Sequence, residues 1–244
     1  MNRGGLQGAA FELDDRFTAY DARSIVEGGL DGGKMLVRID PAEPDSVATL
    51  EACANAVTDL ARHARAAMIE PLVCRRGEGR VVNDLSSEAV IRSVAIASGI
   101  GATSAYTWLK LPVIDDMERV MAATTLPTLL LGGDPTHAPD ETYAAWERAL
   151  AVPGVTGLVV GRALLYPRGD DVEAAVDEAV RLCGSALLPN SGRPLRRLSG
   201  CTNSTKQKNQ YYLRFTMEHG NETGRAAIRA TGPALRPQGK EALS

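Results

Sequence analysis

The sequence comprises 244 residues, of which 44% are hydrophobic and 23% charged, and its formal net charge is −3 at pH 7. This is the composition of an ordinary globular protein with room for one large domain. It excludes a membrane-spanning protein, because no apolar run approaches the roughly 18 residues of a membrane helix. The N-terminus "MNRGGLQGAAFELDD" lacks the apolar core of a secretory signal, so we expect a cytoplasmic protein.

Between residues 30 and 183, short apolar runs alternate with amphipathic stretches. The runs predict strands that begin near residues 34, 67, 105, 127 and 156, a mean spacing of about 30. The stretches between them have the three-to-four spacing of helices. In the stretch that begins at Asp45 we expect Asp45 and Ser46 as capping residues. "SSEAVIRSVAIASG" shows a serine-rich start and a glycine stop.

Strands that alternate with helices predict βα units around a parallel sheet. The repeat of about 30 residues is that of an eight-unit (βα)8 TIM barrel. The rival, a doubly wound open sheet, is disfavoured because neither GxGxxG nor GxxxxGK[ST] occurs. Since about five units are visible where a barrel needs eight, we expect an incomplete, N-terminally truncated barrel without its first three strands.

The composition changes near Gly184. Residues 185–244 contain ten Lys and Arg against three Asp and Glu, and are rich in Pro, Gly, Asn and Ser. We expect a partial barrel over residues 1–184 and a basic, largely irregular tail over 185–244, either disordered or non-native. A nucleic-acid-binding arm is the less favoured alternative, suggested by Tyr211, Tyr212 and Phe215 among the cations.

The histidines and cysteines are too scattered to suggest a metal centre. No HxxxH, HxH or CxxC pattern occurs, so we expect reduced, mostly structural thiols and no metal site built on histidine. These residues are His63, His137, His219, Cys53, Cys74, Cys183 and Cys201.

Two lysines are the most informative residues of the first 184. Lys34 and Lys110 are the only lysines there, against fifteen arginines, and both lie in apolar runs, "GGKMLVRI" and "SAYTWLKLPV". A buried ammonium group is costly unless it is paired or neutralised. A lysine that loses its proton can act as a base or form a Schiff base, whereas an arginine stays charged.

Strand alternation places Lys110 on one face with Tyr106 and Trp108. In a barrel, this polar and aromatic set suits the interior near the mouth, where active sites lie. A nearby Lys34 would lower the pKa of Lys110, and Glu70 in "MIEPLV" could hold one lysine charged or move protons. The alternatives are a lysine that extends to solvent and a purely structural salt bridge at Glu70.

Glycines end the last two predicted strands. "LLLGGD" contains Gly132 and Gly133, and "LVVGRALL" contains Gly161 and Arg162. Glycine lets backbone N–H groups approach a ligand closely, and the loops after strands seven and eight of a barrel commonly bind phosphate. The pair of motifs therefore predicts a phosphate site, although one such motif alone would indicate only a tight turn.

Over about residues 28–183 the chain resembles the class I aldolases of the deoxyribose-phosphate, tagatose-bisphosphate and archaeal-type fructose-bisphosphate group, and within it a branch associated with inositol catabolism. "GLDGGKMLVRIDP", "MIEPLV" and "YTWLKLPV" resemble the fourth to sixth strands, and "TLLLGGD" and "GLVVGRALL" the phosphate-binding ends of the last two. The resemblance implies Lys110 as the Schiff-base nucleophile and Lys34 and Glu70 as proton-transfer partners. The expected substrate and phosphate ligands are Gly132, Gly133, Gly161, Arg162, Arg38 and Trp108.

The resemblance implies a lyase that reversibly cleaves a carbon–carbon bond of a sugar phosphate without a metal or an organic cofactor. One alternative is a phosphate-binding barrel isomerase or epimerase that needs no Schiff base. The other is a non-catalytic fragment or binding module, whose open sheet edges would invite association. A small-molecule sugar phosphate is thus the expected partner, with a homo-oligomer as a further expectation and neither membrane nor nucleic acid.

Overall fold

The computed structural model of the chain describes residues 1, 13, 15–132, 139–167, 169–187, 214–218 and 227–231. The chain divides into two compact units, Met1–Gly192 and Arg193–Ser244. The first unit alternates strands and helices, as the hydrophobic pattern predicts. Its elements are α1 (Ala22–Glu27), β1 (Gly32–Ile39), α2 (Pro44–Arg62), β2 (Ala66–Gly77), β3 (Arg80–Asn83), α3 (Ser87–Ser98), β4 (Thr107–Leu111), α4 (Met117–Ala122), β5 (Thr128–Leu131), α5 (Pro139–Leu150), β6 (Val155–Val159), α6 (Arg162–Leu165) and α7 (Val172–Leu187).

The first unit is built on one sheet of six strands. Five of them run parallel in the order β1-β2-β4-β5-β6, so each pairs with the next parallel strand along the chain. A barrel wall has this sequential order, because each helix returns the chain to the neighbouring strand. The predicted α/β fold is therefore confirmed, and its topology is consistent with part of a TIM barrel. Among the described strands, β1 and β6 form the two edges of the parallel sheet.

The sixth strand, β3, was not predicted from the sequence. It pairs antiparallel with the last residues of β2 and makes a hairpin at the carboxyl end of that strand. Glu78 and Gly79 form the turn with φ values of +50° and +74°. Two consecutive left-handed residues give the backbone twist that a tight hairpin needs.

Local capping residues explain where α2 and α3 begin. The Ser86 hydroxyl accepts a hydrogen bond from the Ala89 N–H at 3.3 Å, and α3 ends at Gly99, as predicted. For α2, the prediction of Asp45 and Ser46 as caps is wrong. The helix begins at Pro44, whose fixed φ suits a first helical position, so both residues lie within its first turn.

The hydrophobic core lies between the helices and one face of the parallel sheet. Helix α5 contributes Trp146, which is 1% exposed. Because side chains alternate along a strand, the residues between the core positions lie on the opposite face of the sheet. The sheet contributes Met35, Val37, Ile39, Ala67, Ile69, Leu109, Leu111 and Leu130 to this core. None of the described helices has the length and hydropathy of a membrane span.

The second unit is described in two short segments. Strands β7 (Arg214–Glu218) and β8 (Ala227–Thr231) pair antiparallel. Residues 185–187, which we placed in the irregular tail, form the end of helix α7. The rest of the predicted tail apart from β7 and β8 lies outside the described residues. The predicted domain boundary between residues 184 and 185 stays a prediction.

Candidate active site

Three charged side chains meet on the sheet face opposite to the helices. They are Lys34 of β1, Glu70 of β2 and Lys110 of β4. The strand register brings them together, because Met68 pairs with Lys34 on one side and with Trp108 on the other. Glu70 and Lys110 each follow two residues later, and residues two apart share a face.

Glu70 joins the two lysines through a single oxygen. Its Oε2 lies 2.5 Å from the Nζ of Lys34 and 3.1 Å from the Nζ of Lys110. The side chains of Glu70 and Lys110 are only 12% and 15% exposed, whereas that of Lys34 is 43% exposed. The cluster thus has a shielded amine, a shielded carboxylate and an amine in contact with solvent.

The protonation equilibria of the cluster follow from this geometry. Burial lowers the pKa of Lys110, and the positive charge of Lys34 lowers it further, against the opposing effect of the Glu70 carboxylate. Burial also disfavours the charged form of Glu70, but the two lysines outweigh it and hold the pKa of Glu70 below its ordinary value. A proton therefore leaves Lys110 more readily than an ordinary lysine, while Glu70 stays ionised.

Of the two aromatic residues predicted beside Lys110, Trp108 lies in the expected strand and Tyr106 lies in the turn before it. Trp108 is 7% exposed but is not part of the helix-side core, as its place in the alternation requires. Tyr106 directly precedes β4 and is half-buried. The face that carries the charged cluster therefore also carries Trp108.

Arg38 lies on the same face of β1 as Lys34, four residues nearer the carboxyl end. Its guanidinium donates to Asp15, with Nε 2.9 Å from Oδ2 and Nη2 2.8 Å from Oδ1. Both side chains are almost fully buried, at 5% and 1% exposed. The structure thus places Arg38 in a bidentate ion pair. Asp15 was not predicted as a site residue, because its partner lies 23 residues away and no local motif marks it.

The structure describes the surroundings of two of the four residues predicted to bind phosphate, Gly132 and Gly161. A Cβ atom at Gly132 would lie 2.5 Å from Cγ1 of Val160, so the close approach of two strand ends requires a glycine there. A Cβ at Gly161 would meet nothing within 4 Å, and this residue faces open space. Gly133 and the side chain of Arg162 lie outside the described residues.

The cysteines offer no alternative nucleophile in the described part of the chain. Burial raises the pKa of Cys53 to about 12 and that of Cys74 to about 11, and it also raises the pKa of Cys183, so all three thiols stay protonated at neutral pH. In the same residues, no group of three or more His, Cys, Asp or Glu side chains could hold a metal ion.

The sequence matches a known family over most of its length. A family model described as Cgl0159-like covers residues 1–180. The chain belongs to the Cgl0159-like family. The crystal structure of Cgl0159 from Corynebacterium glutamicum is 56% identical, with a TM-score of 0.72 over 76% of this chain and 62% of that chain. A search of curated proteins finds no match.

Solved aldolases share the fold of this Cgl0159-like chain. A Schiff-base-forming fructose-1,6-bisphosphate aldolase is 20% identical, with a TM-score of 0.57 over 68% of this chain and 64% of that one. An archaeal fructose 1,6-bisphosphate aldolase is 18% identical, with a TM-score of 0.58 over 69% and 64%. The chain spans less than two-thirds of the length of each of these structures. At such identities the likeness establishes the fold, and the inositol-associated branch and the truncation stay predictions.

Proposed function

We propose that this Cgl0159-like protein is a class I aldolase, which reversibly cleaves a carbon–carbon bond of a sugar phosphate through a Schiff base on Lys110. The observation that carries the proposal is the shielded Lys110 amine, 3.1 Å from the Glu70 carboxylate on the sheet face away from the helices. A neutral amine attacks a carbonyl carbon, and a lowered pKa makes the neutral form available. Among proteins of similar fold, one archaeal fructose-1,6-bisphosphate aldolase has its catalytic lysine covalently bound to a carbinolamine intermediate.

The chemistry requires one nucleophile and a route for protons. The Nζ lone pair of Lys110 forms a bond to the substrate carbonyl carbon, and the carbonyl oxygen takes one proton from the amine and one from an acid and leaves as water. The resulting iminium accepts the electron pair when the carbon–carbon bond breaks, while a base takes the proton from the hydroxyl of the other fragment, which departs as an aldehyde. Protonation of the enamine and hydrolysis of the imine then restore the free amine, so no metal or organic cofactor is needed.

Glu70 and Lys34 are suited to the proton transfers. Glu70 is in hydrogen-bond contact with the Lys110 amine and can accept a proton as the amine attacks. Lys34 contacts the same carboxylate oxygen and is the most exposed member of the cluster, so it links Glu70 to solvent. In this scheme Lys110 bonds to the substrate, and the other two side chains set its charge.

The phosphate group of the substrate is assigned to the loops after β5 and β6. We assign it to the backbone N–H groups at Gly132, Gly133 and Gly161 and to the side chain of Arg162. Trp108 and Arg38 are proposed to line the substrate on the same sheet face, with Asp15 as the counter-ion of Arg38.

Imine trapping tests the proposed function. The 244-residue chain is incubated with dihydroxyacetone phosphate, reduced with borohydride, digested and analysed by mass spectrometry. The expected result is a reduced adduct on Lys110, absent in Lys110→Arg and unaffected by EDTA. The matched control is Lys34→Arg, which keeps Lys110. Labelling of another lysine, or isomerase turnover without any label, would show that the proposed function is wrong.

A further inference from the structure

Lys110 has a second cation close to its amine. The Nζ atoms of Lys34 and Lys110 lie 2.5 Å and 3.1 Å from the same oxygen of Glu70, so one small molecule can contact both amines. A lysine next to another cation loses its proton more readily and is then a better nucleophile. Lys34 is the more accessible of the two, with 43% of its side chain exposed. In the proposed aldol cleavage, the positive charge of Lys34 has no assigned partner on the substrate.

The cluster of Lys34, Glu70 and Lys110 has an excess of positive charge. Two ammonium groups and one carboxylate leave one net positive charge, and the same holds when Lys110 has become an iminium. An anionic group of a substrate is therefore attracted to this place. Lys34 keeps Glu70 as its partner when that group departs as a neutral molecule, so its ammonium is not left unpaired.

The surroundings of Lys110 favour a step in which opposite charges cancel. The side chains of Lys110 and Glu70 are 15% and 12% exposed, and Trp108 on the same sheet face is 7% exposed. Water stabilises separated charges, so its partial exclusion assists the conversion of a carboxylate and an iminium into two neutral products. The loss of carbon dioxide from an iminium is a step of this kind.

We propose that this site also decarboxylates 3-oxo acids, through the same Lys110 imine on which the proposed aldolase function rests. The Lys110 amine condenses with the ketone as in the aldol reaction, while Lys34 binds the carboxylate. The bond to the carboxyl carbon then breaks, its electron pair passes to the iminium nitrogen, and carbon dioxide and an enamine form. The enamine takes a proton at carbon, and hydrolysis releases the ketone and the amine. Overall, one 3-oxo acid anion and one proton give one ketone and one carbon dioxide.

Decarboxylation requires fewer groups than aldol cleavage. Aldol cleavage needs a base for the hydroxyl proton of the departing fragment, whereas carbon dioxide leaves without giving up a proton. A phosphate site is not needed either, because the carboxylate supplies the anionic contact at Lys34. Lys110 as nucleophile, Lys34 as carboxylate-binding cation and Glu70 as proton carrier are therefore sufficient for the reaction.

Acetoacetate labelled with ¹³C in its carboxyl group tests the proposal on the 244-residue chain. NMR measures the release of labelled carbon dioxide and bicarbonate, and Lys110→Arg gives the background rate of spontaneous loss. We expect release above this background that EDTA does not affect. In a parallel sample, borohydride should leave on Lys110 the adduct of the product ketone, which is lighter than the acetoacetate adduct by the mass of carbon dioxide.

Substitutions of Lys34 test the carboxylate contact. Relative to the rate of imine trapping with acetone, which has no carboxylate, Lys34→Met should lower kcat/KM for acetoacetate by about tenfold or more. The comparison with acetone removes the effect of Lys34 on the pKa of Lys110. Lys34→Arg keeps the charge and should recover part of the loss. Arg119→Gln removes an exposed cation of α4 and should leave the rate unchanged.

The possible failures distinguish this proposal from the aldolase function. An adduct on Lys110 that keeps the carboxyl label, with release at the background rate, would exclude decarboxylation and leave the aldolase proposal standing. Release that is equally fast in Lys110→Arg would also exclude it. If neither acetoacetate nor dihydroxyacetone phosphate gave an adduct on Lys110, both proposals would be wrong. Equal normalised rates in Lys34→Met and the natural chain would show that Lys34 does not bind the carboxylate.

Discussion

The two faces of the parallel sheet are made by alternate residues of the same strands, yet they have different roles. On the helix side, Leu109 and Leu111 are fully buried and pack into the core. On the other side, Lys110 lies between them in sequence and contacts the carboxylate of Glu70. The first face stabilises the fold by removing apolar surface from water. The second concentrates charge where water is partly excluded. Stability and chemistry are therefore carried by neighbouring residues, and substitutions can separate them.

Substitutions at two adjacent residues of β4 should separate the roles of the two faces most clearly. Leu109→Ala removes a fully buried side chain and should lower the free energy of unfolding by about 2–5 kcal/mol. Lys110→Met should change it by no more than about 1 kcal/mol, because Glu70 keeps Lys34 as its partner. Denaturant unfolding measures both. Equal losses of stability would mean that Lys110 is a structural residue like its neighbour.

Glu70→Gln should have the next largest effect. It leaves two lysines close together without a carboxylate, and we expect a loss of about 1–3 kcal/mol in the free energy of unfolding. Because Glu70 raises the pKa of Lys110, its removal should also shift the onset of imine trapping to lower pH. The control is Glu88→Gln, which breaks the exposed pair with Arg119 and should leave stability nearly unchanged. An upward shift of the trapping profile would contradict the charge assignment.

Acidic pH should remove the contribution of Glu70 to the free energy of unfolding. Its pKa in the folded protein lies below the ordinary value of 4.5. The stabilisation is therefore complete above the ordinary value and is lost as the pH falls through the lower folded value. The difference in unfolding free energy between the natural chain and Glu70→Gln should then shrink from about 1–3 kcal/mol towards zero. If the free energy of unfolding fell equally with decreasing pH in the two proteins, Glu70 would not be held ionised by the lysines.

Lys34→Met should have the smallest effect on stability, at most about 1 kcal/mol, because this side chain is substantially exposed. Its effect on the chemistry should nevertheless be measurable. The charge of Lys34 lowers the pKa of Lys110, so its loss should move the pH midpoint of imine trapping upwards, opposite to Glu70→Gln. Shifts in the same direction for the two variants would exclude the proposed coupling.

The helix-side face was predictable because its signal is periodic and local. The predicted strand starts fall within two residues of those observed, since short apolar runs report burial directly. The pairing of Lys34, Glu70 and Lys110 was predictable in outline, because charged residues within apolar strands are unusual enough to be noticed. Both lysines contact the same oxygen of Glu70, and the three side chains differ in exposure. These details depend on the register between strands, which the sequence of a single strand does not determine.

Three other features of the structure could not be predicted from the sequence pattern, each for a physical reason. The Asp15–Arg38 pair joins a loop to a strand, and the sequence between them has no period that would fix the contact. The β3 hairpin depends on two left-handed turn residues, one of them the glutamate Glu78, which does not mark such a turn as glycine does. Helix α2 begins at Pro44, and the side-chain caps that we expected at Asp45 and Ser46 do not form.

The most direct test of the central claim is a titration of the Lys110 amine in the 244-residue chain. Lysine labelled with ¹³C at Cε gives one NMR signal per lysine, and the signal of Lys110 is identified by its absence in Lys110→Arg. Burial and the charge of Lys34 predict a midpoint below the ordinary lysine value of 10.5. A midpoint at or above that value would contradict the account, because the amine would then be an ordinary charged partner of Glu70.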